Sequence, residues 1–132
     1  MEKEEEIQKE NEEKIKKFEK FLIKNGLSQR TINNHVSNVD MLINQYLSYE
    51  ELRPEEIDEF FLDSFFMWCV EKWIYNTAAG FSSAFPSILI FYEHLNKENK
   101  VKNIKDVFKV CRKRDFYLEE YNSHEKLLDE EW

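Results

Sequence analysis

At 132 residues the chain has room for one compact domain with a real core and no room for two. Two glycines and two prolines on a background of Glu, Lys, Leu and Ile lack the turn chemistry of an all-β fold, so the composition predicts an all-α bundle of four to five helices. The formal net charge of -8 argues against a polyanionic partner until it is located: residues 1–13 carry seven Glu and two Lys, residues 117–132 carry six acids and one Lys, and the middle is net +2.

Residues 1–13 are acidic and of low complexity, which predicts an extension that is frayed or a solvated start to the first helix and makes no demand on a core. From about 10 to 25, Ile15, Phe18, Phe21 and Leu22 recur at helical spacing while Lys16, Lys20 and Lys24 form an i, i+4 ladder on another face. This first helix ends at Gly26, which supplies a left-handed residue; Leu27 can pack back on the turn, and Ser28 is a good N-cap for the next helix. The second helix spans about 29 to 48 with Ile32, Val36, Val39, Ile43, Tyr46 and Leu47 as its buried stripe. Its other face holds Arg30, Asn33, Asn34, Ser37, Asn38 and Asn44, polar with little charge, where a merely solvating helix carries Glu and Lys. Outward amides are groups with which base edges and phosphates are read.

Pro54 with Glu55 and Glu56 predicts the start of a third helix reaching about residue 73, whose aromatic residues from Phe60 to Trp73 wrap nearly all its faces and mark it as central. A short loop at 74–76 follows, and Thr77 can cap a fourth helix to about Asn96, with Pro86 expected to kink or split it near Phe85. After a polar turn at 97–102, Ile104, Val107, Phe108, Cys111 and Leu118 predict a fifth helix with Lys105, Lys109, Arg112 and Lys113 on its outer face. The folded domain is expected over 14–122, with 123–132 as an acidic tail. Charge falls in blocks: six bases against Glu19 in 14–30, nine acids against Arg53 in 40–71, and eight bases against Glu98 and Asp106 in 97–114.

No phosphate-cradling glycine loop, nucleophile elbow or zinc-ligand motif occurs, and His35, His94 and His124 are far apart in sequence. The acids from Glu55 to Asp63 suit helix capping and the helix dipole. Nothing assembles a nucleophile, a base and an oxyanion site, so the chain is expected to be no enzyme and to hold no metal or cofactor. Cys69 and Cys111 lie among apolar neighbours, as ordinary buried thiols of a reducing cytoplasm do. Without an apolar signal region or an apolar stretch near 20 residues, a cytoplasmic, membrane-free protein is expected.

The order helix–Gly26-Leu27-Ser28-x-Arg30-Thr31-Ile32–helix, an acidic helix start, an aromatic third helix, Asn76-Thr77, and a fourth helix ending in Phe91-Tyr92-x-x-Leu95 resembles the N-terminal SAM-like, core-binding domain of tyrosine recombinases and phage integrases. The similarity covers about residues 14 to 101, and His35 stands where an aromatic is common. The resemblance implies a small helical bundle that clamps one side of a DNA duplex, with its second and fourth helices meeting the major groove. Catalysis in that family belongs to a separate C-terminal domain, beyond where this chain ends. Family members commonly carry an arginine just before the Phe-Tyr pair; here the position is Leu89, and no Lys or Arg occurs from Trp73 to Asn96. Because phosphate neutralisation supplies most non-specific affinity, weak binding to duplex DNA is expected.

In this reading Arg30, Asn33, Asn34, Ser37 and Asn38 meet one groove, Thr77, Ser82 and Ser83 approach another, and Lys97, Lys100, Lys102 and Lys105 hold the backbone. The alternative is a protein-interaction module on the same scaffold, taking an acidic partner on the basic fifth helix or self-associating through aromatic surface, with no DNA bound and no small-molecule substrate. A truncated prophage remnant is compatible with the same residues.

Overall fold

The computed structural model describes residues 2–98 and 101–131, with side chains through Leu127, and every regular element among them is helical. There are six α-helices where four to five were expected: α1 (Glu2–Lys24), α2 (Gln29–Asp40), α3 (Glu59–Glu71), α4 (Ala78–Glu98), α5 (Ile104–Cys111) and α6 (Arg114–Glu131). A π-helical stretch, Met41–Leu47, continues α2, and a single 3-10 turn, Pro54–Glu56, precedes α3. No described helix is long and apolar enough to cross a membrane.

The first difference from the sequence reading is at the N-terminus. α1 begins at Glu2, and the segment expected to be solvated is built into the fold, with Ile7 and Asn11 both 0% exposed. Polar side chains of α1 dock on the π-helix, where Ile43 O also accepts the Ser48 N–H at 3.1 Å. Asn11 Nδ2 donates to Ile43 O at 3.1 Å and to Asn44 Oδ1 at 2.9 Å, while Gln8 Nε2 reaches Ser48 Oγ at 3.2 Å. Arg53 clamps the same helix through Glu10 with a two-pronged contact at 2.8 and 2.9 Å. That hydrogen-bonded guanidinium holds the Glu10 carboxyl below its usual range.

The α1–α2 turn forms as its residues predict. Gly26 takes φ 78°, Leu27 N–H closes on Leu22 O at 3.3 Å, and Ser28 Oγ accepts from Thr31 N–H at 3.2 Å. Leu27 itself stays 36% exposed. The third helix starts later than Pro54: Asp58 is its N-cap, accepting from Phe61 N–H at 3.0 Å, because Ile57 must turn inward to full burial between the 3-10 turn and α3. Phe60 is 68% exposed, so α3 is not buried on all sides. α4 runs unbroken through Pro86 and packs against α1, α2, α5 and α6.

The expected fifth helix is two helices. The chain turns at Arg112 and Lys113, and α6 then aims Tyr117 and Tyr121 inward, both 0% exposed. Phe66 stacks on Phe85 at 4.2 Å with Tyr117 at 5.0 Å, and Tyr121 stacks on Trp73 at 4.8 Å. This aromatic layer ties α3, α4 and α6 together, so α6 through Tyr121 belongs to the core, and the helix reaches Glu131. Both cysteines are free and buried, and burial pushes the Cys111 thiol up to about 12.

Candidate nucleic-acid interface

α2 lies antiparallel along α4, because His35 meets Ser87 while Asn38 meets Ser83. With 100° between successive residues, Ile32, Val36 and Val39 turn to the core, His35 and Asn38 turn to α4, and Arg30, Asn33, Asn34 and Ser37 are left as the exposed stripe. Asn33 is held within that stripe by Gln29, whose Nε2 donates to Asn33 Oδ1 at 2.7 Å.

Asn38 corrects the sequence reading. It is 3% exposed and does not face solvent. Its Nδ2 donates to Ser87 Oγ at 2.9 Å and to Ser83 at 3.2 Å, and its Oδ1 accepts from Tyr75 O–H at 2.8 Å. Ser87 Oγ lies 3.1 Å from Ser83 O and 2.7 Å from His35 Nδ1, which joins His35 to the same polar seam. Asn44, read as part of the same outward face, is likewise engaged internally, donating to Asp40 at 2.7 Å and accepting from Asn11. A helix face rich in Asn and Ser thus has two uses here, an outer stripe and a buried polar seam. The amide spacing does not separate them.

On α4, neighbouring serines face opposite sides. Ser83 is half-buried against α2, its hydroxyl donating to Gly80 O at 2.7 Å. Ser82 faces α6, where Arg114 Nε donates to its hydroxyl at 2.9 Å. Thr77 is the N-cap, accepting from Gly80 N–H at 3.0 Å, and Ala79, Pro86, Ile90 and Glu93 complete an outward strip that is uncharged apart from Glu93. Arg114 was missed by sequence reasoning, since a continuous fifth helix would have carried it elsewhere. With exposed Arg112 and Lys113 it forms a basic corner at the α5–α6 turn.

The remaining lysines do not join this surface as a group. Lys97 lies in a groove between α1 and α4. Lys102 and Lys105 are exposed at the start of α5, where Lys102 N–H donates to Glu55 O at 3.1 Å. Lys100 is outside the described residues.

Burial holds the His35 and His94 imidazoles below the ordinary histidine value of 6.5. A proton therefore binds the unfolded chain more readily, and stability present above pH 6.5 declines as pH falls through that value towards the lower folded values. Urea titrations at pH 7.5 and 5.5 should show the lower midpoint at pH 5.5; equal midpoints would mean that neither ring is desolvated.

No family model, no curated protein and no solved structure matches this chain, so its chemistry must be read from its own residues.

Proposed function

We propose that this chain is a non-catalytic DNA-binding module of the integrase core-binding kind, gripping duplex DNA weakly across α2 and α4. The observation that carries the reading is Arg114 lying on Ser82. It brings a guanidinium to the edge of the outer strip of α4, whose one charge is the Glu93 carboxylate and which has no Lys or Arg of its own before Lys97. Arg30, Asn34 and Ser37 flank that strip from α2, and Arg112 and Lys113 flank it from the α5–α6 turn. A strip of small and apolar side chains with a single carboxylate, Glu93, between two basic edges suits a duplex held mainly by its phosphates, with the amides of Asn33 and Asn34 beside the bases.

The test is fluorescence-anisotropy titration of a mixed-sequence duplex with the full chain at about 50 and 200 mM salt. Affinity should fall with salt, and Arg30→Ala and Arg114→Ala should each weaken binding and flatten the logarithmic salt slope by about one. Slopes unchanged in both variants, or no binding at 50 mM, would sink the reading.

The second reading, a protein-interaction surface, is favoured by exposed Tyr49 and Phe60, at 70% and 68%. It predicts a concentration-dependent dimer in sedimentation equilibrium, weakened by Phe60→Ser.

A further inference from the structure

We propose that the groove between the C-terminal halves of α1 and α4 is a binding site for an anion carrying two or more linked phosphates. The groove, of about 430 Å³, has Lys17, Lys20 and Lys24 on one wall, Lys97 on the other, and Phe21 and His94 beneath them. The proposal stands apart from the DNA reading, whose surface lies over α2 and the outer strip of α4.

The lysines are the first observation. Glu98 is the one acid in the lining, and it is 3.8 Å from Lys17. Lys20, Lys24 and Lys97 have no carboxylate within ion-pair distance among the described residues. Like charges three and four residues apart on one helix face oppose helix formation. The dipoles of α1 and α4 account for Lys24 and Lys97, each in a last turn, but not for Lys17 and Lys20. A protein with a net charge of -8 has carboxylates to spare, yet three ammonium groups converge here without one.

His94 is the second and independent observation. It is 8% exposed, its ring lies 4.7 Å from Phe21 and 5.9 Å from Phe18, and it makes no side-chain hydrogen bond among the described residues. The imidazole faces two neighbouring grooves, this one and one beside Glu10, Glu13, Lys14 and Glu55, and in this one it meets lysines and a single carboxylate. Lysine ammoniums above an imidazole N–H match phosphate oxygens, and the stretch from Lys17 to Lys24 spans about 10 Å of helix, longer than one phosphate.

Glu2 to Glu6 lie roughly 17–33 Å from the groove lysines along α1 at 1.5 Å per residue. Tyr121, midway along α6, packs on Trp73 and Tyr75, before α4 begins.

The experiment titrates the full chain with inorganic tripolyphosphate and, separately, with ATP, by calorimetry and by NMR of the histidine rings. Tripolyphosphate should bind and move the His94 resonances while leaving His124 in place. The double substitution Lys20→Gln, Lys97→Gln removes two exposed, unpaired charges, so it should leave the circular dichroism unchanged and weaken binding at least about tenfold. ATP binding tighter than tripolyphosphate assigns a nucleotide whose base reaches Phe21; equal binding assigns the phosphates alone. Arg30→Ala with Arg114→Ala should leave tripolyphosphate affinity unchanged even if duplex binding is lost. Absence of His94 shifts at saturating tripolyphosphate, or full affinity in the double lysine variant, overturns the proposal.

Discussion

Replacing Ile7 by alanine is expected to lower the unfolding free energy by about 2–5 kcal/mol, the range for truncating a buried aliphatic side chain. Domains of this size are stable by only about 5–15 kcal/mol, so the change should be plain in a guanidinium titration. Ile7 is fully buried in the segment with the most acidic composition of the chain, four residues from Asn11, which satisfies Ile43 O and Asn44 Oδ1. Deleting residues 1–13 removes Ile7, Gln8, Glu10 and Asn11 together and leaves the π-helix carbonyls and Arg53 without these partners. It should therefore cost more than Ile7→Ala alone. A fragment 14–132 as stable as the full chain would show that the first thirteen residues are an appendage after all.

Asn38→Leu is expected to cost about 2–4 kcal/mol, because each buried polar partner left unpaired loses about 1–3 kcal/mol. Tyr75 O–H loses its acceptor, and the Ser83 and Ser87 oxygens lose a donor. A double-mutant cycle isolates the effect: Tyr75→Phe should destabilise the wild-type chain but cost clearly less in the Asn38→Leu background. The DNA salt slope should be untouched by Asn38→Leu, since the amide is 3% exposed. A change in slope without a change in stability would place the amide outside and contradict the buried seam.

These two residues also show where sequence reasoning stops. Apolar periodicity identified Phe18, Leu22, Ile32, Val39, Phe66, Phe85 and Tyr92 as core-forming because burial of an apolar face at 3.6-residue spacing is a local pattern. Gly26, Ser28 and Thr77 were legible as caps because capping is settled within four residues. Ile7 was not, since one apolar residue among glutamates has no local pattern to belong to. Pro86 was read by its local cost and expected to kink or split the helix; α4 runs unbroken through it, flanked by Phe85 and Ser87, both buried. The turn at Arg112–Lys113 carries neither Gly nor Pro and so gave no signal.

For the candidate interface, the sequence supplied the residue types and the stripe on α2, and left open which amides face outward. That choice was made by α4, whose Ser83 and Ser87 draw Asn38 and His35 into the contact. By itself the sequence determined the all-helical class, the main apolar faces and the turn between α1 and α2, all of which depend on neighbours within one or two helical turns. The tertiary structure alone decided the burial of Ile7 and Asn11, the placement of Arg114 on Ser82, and the convergence of Lys17, Lys20, Lys24 and Lys97 over His94. Each of those joins residues tens of positions apart, and only packing brings them into one place.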